Sequence, residues 1–161
     1  MAKEAGGRKE VVDLLNEART RELQAIMQYM AHHYELEDQD LGKLGKVMKK
    51  TAIEEMKHAE TLAERILFLG GTPSSKIAGE IKRGQAIPEM LLTDKGLEQG
   101  AMDMYNHHAA RCAELGDMVS KEIFEDLLGQ EEVHWDAFDV IEDHVKTMGA
   151  SYLATLTGEA E

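Results

Sequence analysis

Ile53-Glu54-Glu55-Met56-Lys57-His58-Ala59 decides the reading of this chain. It lies in an apolar-periodic segment, with Leu44, Val47, Thr51, Glu55, His58, Leu62, Ile66 and Leu69 at helical spacing on one stripe. Two of those inward positions are a glutamate and a histidine, three residues apart and so on one helical face. Glutamate is almost never fully buried without a partner, so the stripe needs a cation to explain it.

Only one other Glu-x-x-His occurs, Glu131-Glu132-Val133-His134. Upstream, Glu22 precedes Glu55 by 33 residues and Glu98 precedes Glu131 by 33, so the unit Glu-x32-Glu-x2-His recurs at an offset of 76. Tyr29 and Tyr105 obey the same offset, each seven residues after the first glutamate of its unit. In a helical hairpin, residues equidistant from the turn face each other. The midpoint of 22 and 55 falls at Asp38-Gln39-Asp40-Leu41-Gly42, and that of 98 and 131 beside Gly116-Asp117. Each glutamate then lies about 25 Å from its turn at ~1.5 Å per residue. Glu22, Glu55, His58, Glu98, Glu131 and His134 can therefore meet at one level. Four carboxylates and two imidazoles suit iron or manganese, with zinc possible, and four carboxylates neutralise two divalent ions. This ligand set resembles that of the di-iron and di-manganese carboxylate bundles.

Outward from this unit, the periodicity predicts four helices over about 8–38, 42–69, 88–115 and 117–148. The first carries Val11, Leu15, Ala18, Glu22, Ala25, Ile26 and Tyr29 inward. The third carries Asp94, Glu98, Ala101, Tyr105, His108 and Cys112, and the fourth Phe124, Leu127, Glu131, His134, Phe138, Ile141 and Val145. Gly70-Gly71-Thr72-Pro73 ends the second helix, and the Gly-, Ser- and Pro-containing stretch to Pro88 reads as a long link with a short helical stretch near Glu80. Tyr152, Leu153 and Leu156 mark a short fifth helix over 150–157. The expected fold is all-α: an antiparallel four-helix bundle in one domain, 1–161, with a polar arm at 1–8 and a crossover between helices 2 and 3.

Composition agrees. The 161 residues hold 2 prolines and 5% aromatics, which disfavours strands. A net charge of −13 argues against a nucleic-acid partner and suits attraction of cations. With a single cysteine, Cys112, the chain can form neither an internal disulfide nor a four-cysteine metal site, which fits a cytoplasmic location. No run approaches the roughly 18 apolar residues of a membrane span, and Met1–Glu10 lacks the apolar core of a signal peptide. Of the adjacent pairs His32-His33 and His107-His108, one member each is expected to face inward. His144 is expected to be exposed, Trp135 to pack at an interface, and Cys112 to fill core space.

The runs Asn16-Glu17-Ala18-Arg19-Thr20-Arg21-Glu22-Leu23-Gln24-Ala25-Ile26-Met27-Gln28-Tyr29, Ile53 to Ala59, Glu64-Arg65-Ile66-Leu67-Phe68-Leu69 and Glu131 to His134 closely resemble bacterioferritin. The likeness extends from about Val11 to Leu156. It implies a ferroxidase that oxidises Fe2+ with oxygen or peroxide and stores ferric mineral in a hollow shell of 24 subunits, with a small ferredoxin as a partner for iron release. By the same resemblance, Glu22 and His58 are terminal ligands of one iron, Glu98 and His134 of the other, and Glu55 and Glu131 bridge them. Tyr29 matches a tyrosine beside that centre, an electron donor. Met56 matches the axial ligand of a b-type haem shared across a twofold subunit interface; on its helix it points about 100° away from Glu55.

Several positions depart from the family pattern. Lys50 stands where an inner-surface histidine can bind extra iron, although Glu54 keeps a carboxylate nearby. Gly70 replaces an acidic residue near the inter-subunit pores. Met27, Met30 and Lys49 replace usual haem-pocket side chains. A competing reading is a rubrerythrin-like di-iron peroxidase, favoured by the paired tyrosines. It expects a seventh carboxylate near Glu98, where the positions three before and after are Lys95 and Ala101. A purely structural bundle and a mini-ferritin shell with ligands between subunits are the others.

Overall fold

The chain's computed structural model describes residues 2–159. Helix α1 spans Ala2–Asp38, α2 Gly42–Phe68, α3 Ile87–Leu115, α4 Met118–Met148 and α5 Ala150–Ala154. The helix expected from about residue 8 starts earlier: Met1 lies outside the described residues, and α1 already runs from Ala2. No proline interrupts that stretch, and Glu10 ties this end to α3 through Arg111 at 2.6 Å.

Short turns make α1–α2 and α3–α4 antiparallel hairpins. At the first, Asp40 adopts φ +58° and the Leu41 N–H returns to the Leu36 carbonyl at 2.9 Å. At the second, Gly116 takes φ +79°, which costs a residue without Cβ nothing, and the Asp117 N–H reaches the Cys112 carbonyl at 2.9 Å. Asp117 then caps α4, accepting from the Ser120 N–H at 2.9 Å, and pairs with Arg65 of α2 at 2.8 Å. One aspartate thereby ends one hairpin and fastens it to the other.

The link between α2 and α3 does cross the bundle's length. It is laid along α1 by successive bonds: Asn16 to the Thr72 carbonyl, Thr20 O from the Ala78 N–H, Gln28 with both backbone groups of Lys82, and Glu35 from the Gly84 N–H. No helix forms near Glu80; hydrogen bonds to α1 satisfy this backbone in place of a local turn. Helix α5 is shorter than expected. The tail folds back on the α1–α2 turn, where the Gly158 N–H donates to the Asp40 carbonyl at 2.9 Å.

The core is divided. One apolar cluster includes Val11, Leu15, Leu62, Ile66, Tyr105, Cys112, Phe124 and Leu127; the other includes Tyr29, Leu36, Leu44, Met48, Met90, Leu91, Phe138 and Val145. Between them lies a polar layer. The two clusters supply the burial energy that lets that layer stay dehydrated. Leu62 is fully buried, so Leu62→Ala is expected to destabilise the metal-free chain by about 2–5 kcal/mol, read from denaturant unfolding followed by circular dichroism.

Candidate metal centre

Each of the four long helices contributes to the polar layer: Glu22 from α1, Glu55 and His58 from α2, Glu98 from α3, Glu131 and His134 from α4. All six are buried. Their ligand atoms fall into two groups, Glu22, Glu55, His58 and Glu131, and Glu55, Glu98, Glu131 and His134, each with atoms within 4.8 Å of one another. Glu55 and Glu131 belong to both. Glu55 presents Oε2 to His58 Nδ1 at 2.7 Å and Oε1 to His134 Nδ1 at 2.8 Å. Glu131 presents Oε1 to His58 Nδ1 at 2.8 Å and Oε2 to His134 Nδ1 at 3.7 Å. Glu22 lies 3.8 Å from His58 Nδ1, and Glu98 3.7 Å from His134 Nδ1. The rings of His58 and His134 stack at 5.8 Å.

Several of these contacts are close without being hydrogen bonds. Glu55 Oε2, His58 Nδ1, Glu98 Oε2 and Glu131 Oε1 are buried with no hydrogen-bond partner. Orphaned buried polar atoms that converge on common points fit ligation of a cation, because an unpaired buried carboxylate is otherwise costly. The outer nitrogens are held: His58 Nε2 donates to Gln130 Oε1 at 2.9 Å and His134 Nε2 to Glu54 Oε2 at 2.7 Å. With the Nε2 proton so held, an imidazole that gives up its Nδ1 proton to an incoming cation presents that lone pair to the centre.

Electrostatics tell the same story. Burial, with the neighbouring Glu55 charge, pushes the Glu22 carboxyl up to about 8; burial and the Glu131 carboxyl beside it push Glu98 to about 8. Burial disfavours charge on His58 and His134, but the carboxylates close around them hold both imidazoles well above their usual range. Without a cation, the layer keeps protons to limit its own repulsion.

Two tyrosines complete the layer. The Tyr29 hydroxyl donates to Glu98 and the Tyr105 hydroxyl to Glu22, and both side chains are fully buried. Sequence reasoning assigned no role to Asp94, which binds buried His32 at 2.9 Å, nor to Gln130. The polarity of Asp94 on an apolar stripe was a usable signal; Gln130 offered none. His33 is buried too, against expectation, with Nδ1 2.8 Å from the Gly45 carbonyl. Helix α1 is covered by both α2 and α3, so residues 100° apart can both be inside. Of the second pair only His108 is buried. His144 is half-buried rather than exposed, its ring 5.0 Å from that of Tyr152 in the returning tail. Cys112 fills core space as expected, and burial pushes its thiol up to about 11. Trp135 is half-buried, with Lys95 Nζ 5.6 Å from its ring. Met56 is 54% exposed on the outside of α2.

No carboxylate beyond these four joins the two ligand groups among the described residues. Asp94, one turn before Glu98, is turned to His32, and Lys95 is engaged by Asp139 and Glu142.

The ferritin-like domain family matches residues 12–148. A bacterioferritin of Desulfovibrio desulfuricans is 40% identical over 96% of this chain and 88% of its own length. One of Rhodobacter capsulatus is 41% identical over 81% of each chain, and one of Streptomyces coelicolor 33% identical over 96% and 93%. Among solved structures, the Desulfovibrio desulfuricans bacterioferritin, described with its di-iron site in different catalytic states, superposes with a TM-score of 0.95. That match has 39% identity and covers 96% of this chain and 91% of that one.

Proposed function

The chain belongs to the bacterioferritins, within the ferritin-like family, and from that premise we propose that Glu22, Glu55, His58, Glu98, Glu131 and His134 are the residues at which it oxidises iron. The function is iron storage and detoxification, with Fe2+ as the substrate of a ferroxidase reaction at a di-iron centre. The observation that carries the residue assignment is the sharing of Glu55 and Glu131 between two ligand groups. The rubrerythrin-like reading lacks its seventh carboxylate and is not favoured.

When bound, each Fe2+ supplies one electron to oxygen or peroxide. The residues do the rest. Glu22 with His58, and Glu98 with His134, hold the outer side of each position, and the two shared glutamates keep both positions at a fixed separation. Gln130 and Glu54 keep the imidazoles aimed. The flanking apolar clusters exclude water, so the carboxylates act at full strength on the cations. Tyr29 holds a proton against Glu98, where it can follow an electron.

Protons and metal compete for the same atoms. With Glu22 and Glu98 titrating near pH 8, both are largely protonated at pH 7 in the metal-free chain. Binding requires the deprotonated carboxyls and imidazoles that have given up their second proton, so it releases protons, and apparent affinity rises with pH through the range where Glu22 and Glu98 titrate. Anaerobic addition of Fe2+ to lightly buffered protein is expected to acidify an indicator dye. An unchanged indicator would remove these carboxyls from the ligand set.

The assembly belongs to the same proposal: a hollow shell of 24 subunits in the cytoplasm, with a small ferredoxin as partner for iron release. No helix among the described residues is long and apolar enough to cross a membrane. Exposed Phe68, Leu67 and Val133, each above 60%, are apolar surface that subunit contacts would cover. Light scattering is expected to report a particle of many subunits that gains mass on Fe2+ and oxygen; a monomer or dimer would contradict storage. Haem is proposed at Met56. The thioether projects from the outer face of α2, with Ile53 one turn before it also exposed, which suits a flat apolar group held between two subunits.

A further inference from the structure

The repeat places a second tyrosine where the ferroxidase reading uses only one. Tyr29 rises from the helix that carries Glu22 but bonds to Glu98, and Tyr105 rises from the helix that carries Glu98 but bonds to Glu22. The two phenols are thus exchanged across the centre, one for each terminal carboxylate. Their surroundings repeat as well. Each is fully buried. Each leans on a phenylalanine of α4, Tyr29 on Phe138 at 5.5 Å and Tyr105 on Phe124 at 5.8 Å between ring centres. Each is followed three residues later by a buried histidine beside a carboxylate of another helix, His32 with Asp94 at 2.9 Å and His108 with Glu17 at 3.3 Å.

We propose that Tyr105 is a second buried electron donor to the ferroxidase reaction, serving the Glu22 side as Tyr29 serves the Glu98 side. The proposal rests on the di-iron reading above. Its chemistry follows from electron count. Taking one O2 to two waters needs four electrons and four protons. Two Fe2+ provide two electrons and become Fe3+. Two phenols provide two more electrons and two protons and become neutral phenoxyls, and two further protons come from solvent. The oxidised product of each phenol is formed by breaking its O–H bond. The Tyr105 proton leaves toward the Glu22 oxygen that already accepts it and ends in water. Later Fe2+ substrate, one per phenoxyl, returns each tyrosine to the phenol with uptake of a proton. With both phenols engaged, oxygen is consumed without release of hydrogen peroxide. Full burial against a phenylalanine ring shields each phenoxyl from solvent reductants, a protection that a surface tyrosine such as Tyr34, 61% exposed, lacks.

The test uses the full chain, purified metal-free, loaded anaerobically with two Fe2+ per subunit, mixed with oxygen and freeze-quenched for electron paramagnetic resonance. Ring-deuterated tyrosine assigns the signal. Tyr29→Phe is expected to retain a tyrosyl radical that Tyr29→Phe/Tyr105→Phe lacks, and Tyr105→Phe to release hydrogen peroxide that the unmodified chain does not. A Tyr29→Phe sample without a radical, or a double variant that keeps it, overturns the inference. A residue serving only to hold Glu22 would alter iron affinity but leave the radical of Tyr29→Phe unexplained. Fe2+ oxidation is followed optically in the same samples. Its absence from the unmodified chain sinks the di-iron reading, whereas oxidation with no Tyr105-dependent radical sinks this inference alone. Far-ultraviolet circular dichroism confirms that each variant folds.

Discussion

Glu55→Ala is expected to slow the fast phase of Fe2+ oxidation by more than the roughly 10- to 100-fold that loss of an outer-shell partner costs a metal site. The reason is that Glu55 belongs to both groups of candidate ligands. Its two oxygens stand 2.7 and 2.8 Å from the Nδ1 atoms of His58 and His134. Removing it takes one ligand from each group and cuts the layer from four carboxylates to three, so two divalent ions would bring more charge than the protein neutralises. Loss of Glu22 or Glu98 alone removes a ligand from one group only, so its deficit is expected to be smaller. The fold is expected to survive. The apolar clusters on either side of the layer do not include Glu55, and removing a buried carboxylate also relieves repulsion on Glu22. Stopped-flow absorbance under oxygen, with circular dichroism as control, measures both. Unchanged kinetics in a folded Glu55→Ala chain would contradict the bridging role.

The ligand layer was legible because it violated the pattern around it. Glu55 and Glu131 occupy apolar positions, and their equal spacing from Glu22 and Glu98 about two turns defines their meeting point. Tyr29 and Tyr105 showed as a repeat, but their partners did not. Which carboxylate a phenol reaches depends on how α1 and α3 are rotated and crossed, and periodicity is silent on that. The same limit hid Gln130, a surface-type residue one position before Glu131 that turns in to His58. It also hid the pairing of His32 with Asp94 across two helices. His33 was misjudged because a stripe treats a helix as having one buried face, and α1 has two neighbours. The start of α1 at Ala2 was missed because Gly6 and Gly7 lower helix propensity, which the remaining turns of a 37-residue helix outweigh.

Met56→Leu is expected to eliminate the visible absorption of haem while leaving Fe2+ oxidation intact. Met56 and Glu55 are neighbours in sequence but face different surroundings. One helical step separates them by about 100°, which turns Glu55 into the fully buried layer and leaves Met56 54% exposed. Leucine keeps the volume and apolar character that contact between subunits would require, and removes only the sulfur that can ligate iron. Because the proposed haem draws one thioether from each of two subunits, a single substitution deletes both axial ligands. The expected loss is therefore complete rather than half. Absorbance of the purified variant, grown with haem precursor, decides it: an unchanged haem spectrum would place the ligand elsewhere. Light scattering on the same sample separates ligation from packing. A variant of normal particle size without haem locates the function in the thioether. A variant that falls apart into small species would instead make Met56 a contact residue, with haem loss as a consequence of lost assembly.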